Sequence, residues 1–389
     1  MKIGFFDFNL NFGGAPKGSV DLLYNLSESG YDVVLYDAYG ANEKYISYVK
    51  RKNIRYRIVF PSLTSKYIGG EFRAKRILNF LKQAPDFFRI IARIRRSVVL
   101  DKLDVVLLNN TKSLLFFSVA SLGLNVKKVM YHRGWALPGG FDWLSKFLIN
   151  SFCCALVGHS KATVKNLGMT FPHIKSYYVP NYVDIVPRSK CAQNSDKFTV
   201  VLPAARPVYE KGHHTALKAL AVLLKKGLDL SLVFPGQIPK GVSNDYIERL
   251  QNIIKVEGLH EKVTFVGWCD SLDDLIVAAD AVILPSHTEG FPRVVIESML
   301  LKTVVIATPV GGIPEAIIHE KTGLLVEIND EQALASALER VMIEVDLTKK
   351  MIDNAFEYAV NHFSKKGQCD GFSMLLTEVM RDGSGSSTS

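Results

Sequence analysis

The chain has 389 residues, 48% of them hydrophobic and 22% charged, with a formal net charge of +9. Such a length suits two domains, and such a balance excludes wholesale disorder. Five cysteines (Cys153, Cys154, Cys191, Cys269 and Cys369), odd in number and without zinc-type pairing, speak against a disulfide framework and for reduced thiols in a cytosolic compartment.

In chain order, Lys2–Phe8 reads as a first strand directly behind Met1, a pattern unlike that of a signal peptide. Gly13 and Gly14 follow in the first loop. Further short apolar, β-rich runs are Asp32–Asp37, Asp104–Leu108, Lys127–Tyr131 and Ala155–Gly158. The most apolar stretches, around 114–124 and 147–157, are interrupted and shorter than the roughly 20 residues a spanning helix needs, so no transmembrane segment is expected. The polar stretch Val183–Lys197 reads as a linker, after which the pattern restarts with Phe198–Pro203, Ser231–Phe234, Lys262–Val266, Ala281–Leu284 and Val304–Ala307. Between these strands, His213–Lys226 and Tyr246–Glu257 show helical periodicity, with Ile247, Leu250, Ile253 and Ile254 on one face. Strand–helix alternation implies parallel sheets covered by helices on both faces. The expectation is an α/β chain of two doubly wound, Rossmann-like domains facing across a cleft, spanning 1–182 and 183–364. A helix over 365–382 is expected to pack back on the first domain, and the low-complexity tail 383–389 to be disordered.

Chemistry concentrates in the second half. The segment from Leu284 to Met299 leaves a strand, loops through Glu289, Gly290 and Phe291, and opens a helix near Pro292, with Glu297 inside that helix. A helix N-terminus offers free amides and a positive dipole end to a diphosphate. Ionised carboxylates only accept hydrogen bonds, which suits gripping sugar and ribose hydroxyls. The turn Pro309–Glu315, with Gly311 and Gly312, follows the next strand, and glycines there let backbone amides approach an anion closely. A third loop, Ala204–Gly212, carries Arg206 and Lys211 after the first strand of this half. Three loops at the carboxyl ends of one sheet define a ligand crevice. Taken singly, each of these loops also fits an ordinary strand–loop–helix with solvated charges.

Together these residues resemble glycosyltransferase family 4, retaining enzymes of the GT-B type. The resemblance rests on Glu289 and Glu297 at a Glu-x7-Glu spacing, Arg206 and Lys211-Gly212 at Arg-x4-Lys-Gly, and Gly311-Gly312-Ile313-Pro314-Glu315. It also rests on Val179–Asp184, Gly13-Gly14 and Gly158–Ala162. It is dense from about Ser160 to Glu327. Departures are Leu301-Lys302-Thr303-Val304 after the donor helix, Ala205 before the arginine, and Pro292 where a glycine often stands. The resemblance implies a UDP-sugar or GDP-sugar as donor substrate, with no cofactor and no metal. Arg206 and Lys211 would hold the diphosphate, aided by amides at Gly290–Phe291 and Gly13–Gly14. Glu289 would meet the donor sugar and Glu297 the ribose, with Pro292, Gly311 and Gly312 lining the site and the base lying near Val266 and Trp268. His132, after an N-terminal strand, would lie close to the reacting sugar, although a lone strand-end histidine is as readily structural. A sugar-nucleotide epimerase and a non-catalytic nucleotide-sugar binder are the other readings.

From Glu43 to Lys112 there are 17 Lys and Arg against five acids, so the whole positive excess sits in one stretch. Arg73, Arg76, Lys82, Arg89, Arg93 and Arg96 alternate there with aromatic and aliphatic residues, and Pro85 is expected to divide two amphipathic helices. Such helices lie on anionic membrane surfaces. The same pattern also fits a core helix with a solvated face, or an acidic soluble acceptor. No groove-reading or base-stacking module accompanies it, which argues against nucleic acid. The expected acceptor is therefore a glycan or lipid-linked glycan, and the expected location cytoplasmic, peripheral at the inner face of the cytoplasmic membrane.

Overall fold

The computed structural model of the chain describes residues 1–8, 12–60, 75–134, 140–188, 197–204, 207–236, 245–267, 269 and 272–381, with the backbone alone for 75–86. The tail 383–389 lies outside the described residues. The chain divides into two compact units, one comprising Met1–Pro180 and the C-terminal segment from Lys365, the other Asn181–Ser364.

The first unit runs β1 (Lys2–Asp7), α1 (Gly14–Glu28), β2 (Asp32–Asp37), α2 (Glu43–Arg51), β3 (Tyr56–Ile58), α3 (Lys75–Asp101) and β4 (Val105–Leu108). It continues with α4 (Thr111–Ala120), β5 (Lys127–His132), α5 (Trp143–Phe152), β6 (Ala155–Gly158), α6 (Lys161–Thr170) and β7 (Ser176–Tyr178). Its sheet has the order β3-β2-β1-β4-β5-β6-β7, with every pair parallel. Alternate residues of a strand point to opposite faces. Phe6, Val34, Tyr36, Leu108, Met130 and Leu156 therefore meet α3, α4 and α5 on one face. Ile3, Phe5, Leu35, Leu107 and Val157 meet residues of α1 and α2 on the other. Both faces are buried, which is why these strands read as unbroken apolar runs. Asn42, Asn110, Asp142 and Ser160 start α2, α4, α5 and α6, each side chain accepting the amide three residues on.

The second unit runs β8 (Phe198–Val201), α7 (His213–Lys225), β9 (Leu230–Phe234), α8 (Asp245–Val256), β10 (Val263–Phe265), α9 (Leu272–Ala278) and β11 (Ala281–Leu284). Then follow α10 (Arg293–Leu300), β12 (Val304–Ala307), β13 (Leu324–Leu325), α11 (Glu331–Ile343) and α12 (Val345–His362). The order β10-β9-β8-β11-β12-β13, all parallel, places the reversal of strand order between β8 and β11. α13 (Lys365–Arg381) belongs to the first unit. Its Phe372, Leu375, Leu376 and Val379 enter the core beside Phe5 and Tyr131, and Asn25 Nδ2 donates to Gln368 Oε1 at 3.0 Å.

One expected break is absent. α3 continues through Pro85 as a single helix, so two helices do not form there. A mid-helix proline costs about 3 kcal/mol. Burial of Ile90, Ile94 and Val98 on the inner face offsets that cost at about 1.5–3 kcal/mol per side chain. Among the described residues no helix is long and apolar enough to cross a membrane.

Candidate functional site

The loops after β8 and β11 leave neighbouring strands at the point where the strand order of the second unit reverses, which is where open α/β sheets leave room for a ligand. Lys211 closes a short 3-10 turn, Tyr209–Lys211, ahead of α7. Its Nζ donates to Glu289 Oε1 at 2.6 Å, and Ser286 Oγ donates to the same oxygen at 2.9 Å. The Glu289 side chain is only 11% exposed against 34% for Lys211, so the carboxylate is held from below and the ammonium closes over it.

Backbone contacts stitch the loops into one body. The His287 amide donates to the Glu210 carbonyl at 2.8 Å and the Gly312 amide to the Gly290 carbonyl at 2.6 Å. The Thr308 hydroxyl donates to the Ser286 carbonyl. Gly212 and Gly311 have φ of +69° and +59°, in the left-handed region that favours glycine. A Cβ at Gly212 would fall on the carbonyl oxygen of Pro285, and one at Gly311 on that of Glu289. The glycines are what allow the three loops to touch.

Around Tyr209, which opens the turn that Lys211 closes, lies a ring cluster that was not singled out from sequence. Tyr209 stacks on His214 at 4.8 Å between ring centroids, and its edge meets His287 at 4.7 Å. His214 Nδ1 is 2.9 Å from the Tyr246 hydroxyl and its Nε2 is 3.2 Å from Asn329 Oδ1. Burial holds the His214 imidazole below its usual range. Only Tyr209 and His214 are close in sequence, and the other three come from separate stretches of chain, so no local spacing signals the cluster.

Pro292 sits at the N-cap of α10, one position before the first helical turn where sequence placed it, and the helix has no side-chain cap there. Glu297, 8% exposed, lies 3.8 Å from Arg293 Nε. Arg293 also donates to the Tyr182 carbonyl at 3.1 Å, and Asn181 Nδ2 to the Phe291 carbonyl at 3.1 Å, so the segment entering this unit is tied to the start of α10. The amide of Val266, a half-exposed residue, donates to the Phe234 carbonyl at 3.0 Å. Arg206 and Trp268 lie outside the described residues. The structure thus brings Lys211, Glu289, Gly290, Gly311 and Gly312 together, with Phe291, Pro292 and Glu297 on the same loop and helix.

The remaining candidates belong to the first unit. Gly13 and Gly14 open α1, and a Cβ on either would meet nothing within 4 Å, so packing does not demand glycine there. His132 ends β5 with its ring 5.4 Å from Phe141, and burial pushes its pKa down to about 4, leaving a neutral imidazole at pH 7. Asp7, at the end of β1, was not singled out from sequence. It is fully buried, accepts from Asn109 Nδ2 at 2.7 Å, and burial pushes its carboxyl up to about 6. In the basic stretch, Arg73 and the side chains of Arg76 and Lys82 lie outside the described residues. Arg89 and Arg96 are exposed, and Arg93 rests over the Phe60 ring at 5.1 Å. Of the aromatic and aliphatic residues that alternate with them, Ile90 and Ile94 are core, whereas Phe88 is exposed.

A cation and a glycine amide turn beside a helix N-terminus suit a phosphate anion, and an adjacent carboxylate suits hydroxyls. Two parallel α/β units of this kind match the GT-B fold. Residues 188–358 match the family of glycosyl transferases group 1. An uncharacterized glycosyltransferase of Haemophilus influenzae is 25% identical over 359 residues, 91% of this chain and 94% of that one. The lipopolysaccharide core biosynthesis glycosyltransferase LpsE of Rhizobium meliloti is 29% identical over 178 residues, so that the match spans 46% of this chain and 49% of the relative. The crystal structure of Anabaena HepE in complex with UDP-glucose superposes with a TM-score of 0.80 at 20% identity, covering 97% of this chain and all of that one.

Proposed function

We propose that the chain is a retaining, metal-independent glycosyltransferase of family 4. It moves a sugar from a UDP-sugar or GDP-sugar to a hydroxyl of a glycan or lipid-linked glycan, in the synthesis of cell-surface polysaccharide, lipopolysaccharide or glycolipid. It works as a peripheral protein at the inner face of the cytoplasmic membrane. The observation that carries this reading is the Lys211–Glu289–Ser286 constellation at the switch point of the second unit. The likeness to a lipopolysaccharide core enzyme and to a fold that holds UDP-glucose supports it.

In this reading the donor diphosphate draws Lys211 away from Glu289, and the released carboxylate accepts hydrogen bonds from the donor sugar. Arg206 and the amides at Gly290–Phe291 share the diphosphate charge. Glu297 takes the ribose, and Val266 with Trp268 flanks the base. The acceptor hydroxyl attacks the anomeric carbon from the face the nucleotide leaves, and a leaving phosphate oxygen takes its proton. Fixed cations and amides aimed at the departing charge supply most of the rate. His132 is neutral at pH 7 and adds no charge.

The test is incubation with UDP-, GDP- and ADP-sugars, followed by NMR for nucleotide release and for the configuration of the released or transferred sugar. Turnover of one donor with retained configuration, unchanged by EDTA and lost in Glu289→Ala, is the expected result. Inverted product would remove the retaining assignment, and neither binding nor turnover of any donor would sink the reading.

A further inference from the structure

The helices α3, α4 and α5 form one layer: α4 packs between the other two, and all three bury their inner residues in the same core. Their outer sides therefore share one surface of the first unit. That surface is apolar where a soluble face would be polar. Trp143 is 75% exposed and Phe147, one turn along α5, 59%, while Phe88, Val99 and Leu100 project from α3 and Leu122 from the turn after α4. Arg89, Arg93, Arg95, Arg96 and Lys146 stand exposed among them. Arg95 donates to the carbonyls of Ala120 and Leu122 at 3.1 and 2.7 Å, contacts that hold the guanidinium on the surface without neutralising it. The single carboxylate among the described side chains of the three helices, Asp101, is buried and bound by Tyr36 and Arg57. Asp142, just ahead of α5, is spent on the Ser145 amide.

We infer that this face docks on an anionic lipid bilayer, with Trp143 and Phe147 as the residues that enter the interface and the arginines of α3 against the headgroups. The inference deepens the peripheral-membrane part of the proposed function and rests on it. Interfacial helices combine this kind of apolar body and cationic rim, and each cation near a negative surface adds attraction. The charge pattern disfavours a second copy of the chain, because a two-fold interface would set five cations against five. The α5 half of the face was not singled out from sequence, since Trp143 and Phe147 lie well beyond the basic stretch that ends at Lys112.

The experiment is cosedimentation of the full chain, without donor, with vesicles of phosphatidylcholine alone or mixed with phosphatidylglycerol, at low and high salt. The face predicts binding to the mixed vesicles that weakens with salt. Trp143→Ala with Phe147→Ala lowers the partition roughly tenfold or more. Arg89→Gln and Arg96→Gln each lower it roughly fivefold. Tryptophan emission shifts to the blue on binding, and Trp143→Phe removes most of that shift while binding persists. No binding at low salt, binding indifferent to these substitutions, or a chain dimer that Trp143→Ala dissolves would each overturn the inference, as would capture of duplex DNA in preference to vesicles. Vesicle binding with neither binding nor turnover of any nucleotide-sugar would leave this face standing and sink the catalytic reading alone.

Discussion

At the scale of single residues, the site depends on one oxygen atom with two donors. Glu289 Oε1 takes both the Lys211 ammonium and the Ser286 hydroxyl, and the two donors have different tasks under the proposed mechanism. Lys211→Ala removes charge stabilisation from the leaving diphosphate and is expected to lower kcat roughly 10²–10³-fold. Ser286→Ala removes only a holding contact, worth about 1 kcal/mol, and should lower it no more than roughly tenfold. Steady-state kinetics on both variants check the ordering, and equal losses would contradict it. Asp7 makes a prediction of the opposite kind. Burial raises its pKa from 3.8 to about 6, so between these values the native state holds a proton that the unfolded chain has released. Stability from this group is therefore lost as pH rises through that window. Asp7→Asn keeps an acceptor for Asn109 and removes the titration. Its melting temperature should exceed that of the parent at pH 7, by an amount equivalent to at most roughly 3 kcal/mol, and the gap should close by pH 4. A variant less stable than the parent at pH 7 would refute this.

At the scale of elements, the loops matter more than the strands they follow. Gly311 and Gly13 are both glycines in candidate anion loops, yet the structure separates them. Gly311→Ala drives a methyl onto the Glu289 carbonyl and must move the loop, and a misplacement of about 1 Å costs on the order of 10² in rate. Gly13→Ala meets nothing, so melting should be unchanged. Thermal melts beside kinetics distinguish the two. The long central strands were legible because burial on both faces writes them as apolar runs. Three edge strands of two or three residues, β3, β7 and β13, were not, whereas β10, equally short, was read because it lies in the apolar-rich run Lys262–Val266. α3 defeated the proline rule because tertiary burial outweighed a local penalty.

At the scale of the whole molecule, the chain leaves the first unit at Pro180, builds the second, and returns to the first as α13. Truncation after Ser364 exposes the cavity filled by Phe372, Leu375, Leu376 and Val379. Four buried apolar side chains at about 1.5–3 kcal/mol each approach the entire stability of an ordinary domain. The truncated chain is expected to lose cooperative melting of the first unit while the second still melts, which calorimetry resolves. Retention of both transitions would show that α13 is dispensable.

Sequence by itself determined the α/β class, the restart of the pattern near residue 198, and the loops that carry Lys211, Glu289 and Gly311, because each of these is written in local periodicity and in spacings of a few residues. Tertiary structure decided which of those loops touch and which glycines are sterically required. It also decided that Tyr209, His214, Tyr246, His287 and Asn329 form one cluster, and that Trp143 faces outward while Ile94 faces in. These depend on how strands dock at the sheet's point of reversal and on which helix covers which face. Such outcomes are set by long-range packing, and residues as far apart as Lys211 and Glu289 carry no local sign of them.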